Sequence, residues 1–295
     1  MRVLVLVTLL LWPSLATAQA HFDVASIKAC KPGEIAPGIE AEPSRGKTAA
    51  SDNSSSSSPG TLNLPCRPLR ALVVEAYVDF ATGRRAAVQT IRPRIAGAPD
   101  WFESDRYAIT AKSVGPATQA MMRGPMLQAL LEDRFQLKLH HESREASVYE
   151  LTVAKNGPKI QKTVDGTCVP RDPDQASLPP KAPGGKPWCG TVRYVSSLKT
   201  MSGILDGTGV TTAEMAPWLP FDGRPVIDRT GLEGRYDFHL EYLRGGGPPP
   251  GDPDPAHAAP PMPAAIQDQL GLKLTPAKGP VDVLVMDHVE RPSGN

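Results

Sequence analysis

Two stretches of the chain repeat the same order of helix and strand patterns, and this repeat limits the possible folds more than any other feature. They read LLEDRFQLKLHHESREASVYELTVAK (130–155) and IQDQLGLKLTPAKGPVDVLVMDHVER (266–291). In each, apolar residues at helical spacing lead into an L-K-L strand, and a second alternating segment follows a polar bend. The pattern predicts two units that each consist of a helix and a hairpin.

Looser copies of this order occur elsewhere. PLRALVVEAY (68–77) has helical spacing and precedes extended chain at 95–112, and TTAEMAPWL (211–219) precedes RPVIDRT and RYDFHLEYL, which read as paired strands. Each unit leaves an apolar sheet face and an apolar helix stripe, so we expect an α+β fold with helices packed on mainly antiparallel sheets. The predicted organisation is a first half at 21–163, a Pro/Gly-rich linker at 164–190, and a similar second half at 191–295 with a low-complexity insertion at 244–263.

The first twenty residues have the pattern of an export signal. Arg2 precedes a short apolar run that ends in small residues, and cleavage after Ala18 or after Ala20 fits the sequence equally well. No later segment is apolar enough to span a bilayer, so we expect a periplasmic or secreted chain without a transmembrane segment. The chain has 32 basic and 31 acidic residues, and this balance argues against nucleic acid as a partner.

The four cysteines suit an oxidising compartment, where an even number usually indicates disulfides. Three pairings are possible. Cys30 with Cys66 and Cys168 with Cys189 are favoured, because each pair brackets a loop rich in Pro, Gly or Ser whose closure a crosslink would stabilise. The absence of C-x-x-C from the sequence argues against a thiolate metal site.

Charged residues are dense in GRPVIDRTGLEGRYDFHLEY (223–242), where Asp228, Asp237 and His239 could form a catalytic or metal site with His141. Strand alternation favours another interpretation, because it places the aromatic residues of this segment on one face and Asp237 and His239 on the other, solvated face. His140 and His141 are adjacent on a predicted strand and point to opposite sides, so they cannot chelate one ion together without a distorted backbone.

Several long blocks occur in order along the chain: FDVASIK, GAPDWFESDRYAITAK, MLQALLEDRFQLKLHHESREASVYELTVAKNGPKI, GRPVIDRTGLEGRYDFHLEY, and the C-terminal QLGLKL and VDVLVMDHVERPSGN. Together they resemble a soil-associated family of secreted proteins that is abundant in Acidobacteria. The resemblance runs from Phe22 to Asn295 and implies export and a shared fold. The family is a domain of unknown function, so the resemblance supplies no catalytic residues.

Two functions are consistent with the sequence. We expect a noncatalytic binding or interaction module without a cofactor, which uses sheet edges or the groove between the halves to bind an unknown protein or cell-envelope ligand. The alternative is an extracytoplasmic hydrolase or metal-dependent enzyme with an unfamiliar site built from His141, Asp228, Asp237 and His239. The second function requires these four side chains to converge in one enclosed cavity.

Overall fold

The computed structural model describes residues 21–31, 60–86, 93–175, 182–197, 202–219, 222–243 and 259–292. Three sheets, built mainly from antiparallel strand pairs, are combined with short helices, so the fold is α+β as predicted. The predicted signal peptide at 1–20 and most of the insertion at 244–263 lie outside the described residues. None of the helices described is long and apolar enough to cross a membrane.

The described strands vary greatly in length. In chain order they are β1 (Phe22–Ala29), β2 (Thr61–Pro68), β3 (Arg94–Ala96), β4 (Arg106–Ser113), β5 (Lys138–Val153), β6 (Gln161–Lys162), β7 (Thr191–Ser197), β8 (Ser202–Val210), β9 (Val226–Asp228), β10 (Tyr236–Leu243) and β11 (Leu272–His288). The helices are α1 (Leu69–Val74), α2 (Trp101–Ser104), α3 (Gln119–Arg123), α4 (Pro125–Phe135), α5 (Thr212–Met215) and α6 (Met262–Ala265). Wider π-helical turns extend α1 over Glu75–Asp79 and α6 over Ile266–Leu270.

The prediction of a hairpin within each repeated stretch is wrong, because each stretch contains one long strand instead of two short ones. β5 and β11 have 16 and 17 residues and pair with each other antiparallel from Val153 opposite Leu272 to Leu139 opposite Met286. The short strands β3 and β9 pair in parallel with β11 and β5 at the two edges of this sheet. The polar segments interpreted as bends lie in the middle of the strands.

A second correction concerns RPVIDRT and RYDFHLEYL, which do not pair. The first contributes β9, which lies beside β5, and the second contributes β10, which lies between β6 and β8 in a different sheet. The predicted alternation within β10 is confirmed, since Tyr236, Phe238 and Leu240 are buried and His239 is exposed. The apolar face of β10 therefore packs into the interior of the protein.

Two large apolar clusters fill the interior, and β5 and β11 pass between them. Leu137, just before β5, belongs to the first cluster, whereas Leu151 near its end belongs to the second. In β11 the order is reversed, because Leu272 lies in the second cluster and Leu284 in the first. The first core thus contains residues from both ends of the chain, from Ile27 to Met286, whereas the second contains residues from Tyr149 to Leu274. The division into two similar halves around 164–190 stays a prediction.

Both predicted cysteine pairs are at disulfide distance in the structure. Cys30 and Cys66 join β1 to β2, the two strands on either side of β4, with their Cα atoms 6.1 Å apart. Cys168 and Cys189, with Cα atoms 5.1 Å apart, close the segment between β6 and β7. The expected disulfide pairing is therefore confirmed.

Candidate anion-binding pocket

A pocket of about 390 Å³ opens where the chain after α1 meets the disulfide-closed segment, β7 and α5. Part of its wall is apolar, and three arginines from distant parts of the sequence also line it. The lining residues are Arg85, Ala86, Pro170, Arg171, Pro173, Cys189, Gly190, Val192, Glu214, Trp218 and Arg235. The volume lies near the lower end of the range of about 300–1,000 Å³ that is typical of small-molecule sites.

Arg85 is positioned by the tight turn that follows the π-helical extension of α1. Its backbone N–H donates to the carbonyl oxygen of Pro173 at 2.7 Å, which attaches this turn to the disulfide-closed segment. The backbone N–H of Ala86 donates to the carbonyl oxygen of Asp79, also at 2.7 Å. The guanidinium group lies over the ring of Phe80, 5.1 Å from its centroid, so a cation–π contact supports it from one side.

Arg171 and Arg235 are held from the other side of the pocket. The Nη2 atom of Arg171 donates to Thr191 Oγ1 at 2.9 Å, and that hydroxyl donates to the carbonyl oxygen of Trp188. The Nη1 atom of Arg235 donates to the carbonyl oxygen of Gly209 and lies 3.1 Å from Glu214 Oε2. Hydrogen bonds thus fix one end of each guanidinium group beside the cavity.

Glu214 is the acidic residue of the pocket wall, and its carboxylate already has two partners. It forms a capping box with Thr211, in which the Thr211 N–H donates to Glu214 Oε2 at 2.8 Å and the Glu214 N–H donates to the Thr211 hydroxyl at 3.1 Å. The same Oε2 atom lies near Arg235. The wall of the pocket therefore contains one carboxylate and three guanidinium groups.

Burial is the largest influence on the pKa of two of these arginines, and neighbouring charges add to it. Burial, together with the neighbouring Arg171, lowers the pKa of Arg85 below its usual range, and Asp79 acts against this shift. Burial also lowers the pKa of Arg171, with Glu214 acting against the shift and Arg235 adding to it. Burial of a guanidinium group and repulsion between like charges are both unfavourable, and a bound carboxylate or phosphate would relieve both.

A second charged cluster lies behind Arg85 in the interior. Glu75 is 3% exposed and forms ion pairs with Arg67 and Arg123, so one buried carboxylate lies between two guanidinium groups. Asp79, one turn further along, interacts electrostatically with Glu75 and Arg85. Burial and, to a smaller extent, the charge of Glu75 raise the pKa of Asp79 to about 6.

This raised pKa predicts that Asp79 lowers the stability of the folded protein, and that the effect depends on pH. Between about pH 4 and pH 6 the folded chain keeps a proton on Asp79 that the unfolded chain has released, so stability falls as pH rises through this window. We expect Asp79→Asn to be neutral near pH 4 and stabilising above pH 6, by on the order of 1–2 kcal/mol after allowance for solvent screening. Urea unfolding of both proteins at pH 4 and pH 7.5 measures this, and a difference independent of pH would contradict it.

The residues singled out from the sequence have separate hydrogen-bond partners. His141 binds Asp282, His239 binds Asp206, and the two imidazoles are 54% and 61% exposed.

The two aspartates are also bound to other residues. Asp228 accepts from the N–H and hydroxyl of Thr230, and Asp237 accepts from Thr163 and from the Gly209 N–H. His140 and His141 bind different aspartates, Asp287 and Asp282. Each of these side chains thus has its own partner.

Within the described part of the chain, no group of three or more His, Cys, Asp or Glu side chains is arranged to hold a metal ion. The three pocket arginines were not found from the sequence. Arg85 and Arg235 each lie shortly after a glycine in a turn-like segment, and Arg171 lies in the predicted linker. No regular spacing in the sequence relates the three arginines to one another. Only their convergence in the fold marks them.

Comparison with known proteins identifies a family but no function. A family model described as "Protein of unknown function (DUF3738)" matches residues 85–289, a range that includes all three pocket arginines. No curated protein and no solved structure matches the chain.

Proposed function

The chain belongs to the DUF3738 family of proteins of unknown function, and from this premise we propose that it is an extracytoplasmic binding protein for a small organic anion. The observation that carries the proposal is the convergence of Arg85, Arg171 and Arg235 on one pocket whose wall contributes a single carboxylate. Guanidinium groups bind carboxylates and phosphates through paired, charge-assisted hydrogen bonds. We assign no catalytic step to this pocket.

The position of the pocket supports this function. Arg85 comes from the part of the chain predicted as the first half, Arg171 from the predicted linker, and Arg235 from the predicted second half. Ligand sites commonly form where different structural units meet, and here three distant parts of the chain contribute one arginine each to the same pocket. The groove between the two proposed halves was the binding region expected from the sequence.

The proposed location outside the cytoplasm rests on two observations of different kinds. The sequence begins with an export pattern, and the two disulfides suit an oxidising compartment. The association with soil Acidobacteria that the resemblance implies is part of the same proposal. Such a protein would encounter organic acids and acidic envelope components rather than cytoplasmic metabolites.

Substitution of the pocket arginines tests the function. We expect the mature protein to bind benzoate or glucuronate in titration calorimetry, and we expect Arg171→Gln and Arg235→Gln each to weaken this binding about 10- to 100-fold. Each substitution removes a charge-assisted hydrogen bond worth about 1.5–3 kcal/mol. Arg171 provides the stricter test, because it is the more buried of the two.

The matched control is Arg193→Gln. Arg193 is also an arginine of this region, but its side chain is 70% exposed and pairs with Asp206 away from the pocket lining. We expect this variant to bind as tightly as the unaltered protein. If Arg171→Gln and Arg193→Gln bind alike, or if neither these two anions nor an open-chain acid such as hexanoate or gluconate binds, the pocket is not an anion site.

A further inference from the structure

The apolar part of the pocket wall suggests what kind of anion it takes. Four apolar side chains and one disulfide-bonded cysteine form this part of the wall: Trp218, Val192, Pro170, Pro173 and Cys189. An inorganic anion such as sulfate would use the guanidinium groups but would leave this surface in contact with water. A ligand with an apolar face would remove both surfaces from water, with a gain of about 25 cal/mol per Å².

Trp218 is the largest of these apolar residues and is held in a fixed position. It ends the 3-10 helix Ala216–Trp218, which continues directly from α5. Met215 and Leu219 on either side of this turn are buried in the second core, and the Trp218 ring itself packs against that core while remaining half-buried. The N-terminal capping box of α5 fixes the other end of the same short segment.

Trp218 therefore lines the same pocket as the guanidinium groups, on a segment that core packing and the capping box hold in place. Its indole ring is the largest apolar group with which a ligand in this pocket can make contact. Flat apolar rings pack on such a surface with little loss of conformational entropy, and they gain aromatic contacts beyond their buried area. An open-chain acid of the same charge would have to fix several rotatable bonds to cover the surface. The pocket volume of about 390 Å³ is large enough for one ring with its carboxylate.

We propose that the ligand is a carboxylate carried on a ring, with the carboxylate at the arginines and the ring against Trp218. This inference rests on the proposed function and specifies the ligand class of the same site. The shared chemistry is a six-membered ring bearing one carboxylate, which could belong to an aryl acid or to an acidic sugar. In either case Trp218 determines specificity and the arginines provide the charge.

Two matched pairs of probes test the ring directly by titration calorimetry. Benzoate is compared with hexanoate, and glucuronate, a closed sugar ring, is compared with gluconate, an open-chain sugar acid with the same number of carbon atoms. We expect at least one ring acid to bind about tenfold more tightly than its open-chain partner. We expect Trp218→Ala to abolish that difference, because the ring acid loses the surface against which it packs, and Trp218→Phe to retain most of it.

The outcomes separate the two proposals. A preference for benzoate alone identifies the ligand as an aryl acid, and a preference for glucuronate alone identifies it as a sugar acid. Equal affinity for the ring and open-chain acids of both pairs, or a ring preference that persists in Trp218→Ala, overturns the ring inference but not the anion site. Failure of all four probes to bind overturns the proposed function itself. Thermal unfolding of Trp218→Phe checks that the segment remains folded.

Discussion

Replacement of Glu75 with glutamine is expected to destabilise the protein by about 3 kcal/mol or more, and this is the largest effect that we predict for a single substitution. The Glu75 carboxylate is buried between Arg67 and Arg123, whose side chains are 20% and 9% exposed. Removal of its charge leaves two partly buried cations without their common partner, and loss of one member of a buried ion pair typically costs about 3–5 kcal/mol. Chemical denaturation at pH 7.5 measures this difference.

The position of the triad explains why the cost should be global. Arg67 lies near the end of β2, Glu75 begins the turn after α1, and Arg123 ends α3, so the carboxylate joins three elements around the first core. For a chain of this size, a loss of 3 kcal/mol corresponds to a decrease in melting temperature of about 6–12 °C.

Glu103→Gln is the matched control for this substitution. Its carboxylate also pairs with an arginine, Arg70, at 3.0 Å, but is 66% exposed. Exposed pairs of this kind contribute about 0–1 kcal/mol, so we expect little change.

Joint replacement of Arg67, Glu75 and Arg123 by apolar residues of similar size should recover most of the lost stability, because no buried charge is then left alone. A loss below 1 kcal/mol for Glu75→Gln would show that water reaches the cluster.

The local elements of this fold could be predicted from the sequence because local patterns determine them. The helical spacing at 126–135 corresponds to α4, and the alternation of Tyr236, Phe238 and Leu240 correctly separates the buried from the exposed face of β10. The cysteine pairing was also predictable, since each pair brackets a loop of distinctive composition. These features depend on neighbours in the chain.

The strand pairing could not be predicted in the same way. The middle of β5 reads S-R-E-A and the middle of β11 reads P-A-K-G-P, and both resemble turns. They are polar because these segments lie between the two apolar clusters, where neither core covers the strands. Pro276 and Pro280 lie in the interior of β11 and strengthen the resemblance to a turn, because proline within a strand is normally confined to an unpaired edge or a bulge. Pairing between strands so far apart in sequence leaves no local signal.

The candidate site illustrates the same limit. Asp228, Asp237, His239 and His141 attracted attention because they lie in dense charged segments, yet each is bound to a different partner. The arginines that form the pocket are far apart in sequence and are ordinary in their local context. Their function depends on convergence and on partial burial, and both are properties of the tertiary structure.

Removal of the Cys168–Cys189 disulfide by substitution of both cysteines with serine is expected to affect stability and ligand binding together. Closure of a loop with a sequence separation of 21 contributes about 3 kcal/mol in the chain-entropy description. Cys189 lines the pocket, and Arg171 lies three residues after Cys168. Gly209 also packs so closely that a Cβ atom there would lie 2.6 Å from Cys168 Sγ, so this corner of the pocket is built on the disulfide.

The other disulfide provides the control for this experiment. Cys30 and Cys66 have a sequence separation of 36, so their replacement by serines should cost a similar or slightly larger amount, about 3–4 kcal/mol. Neither residue lines the pocket. At a temperature where both variants are folded, we expect benzoate or glucuronate binding to be weakened at least tenfold only by loss of Cys168–Cys189. Equal binding by the two variants would mean that the disulfide does not position Arg171, and the pocket wall would then depend on the Pro173 and Thr191 hydrogen bonds alone.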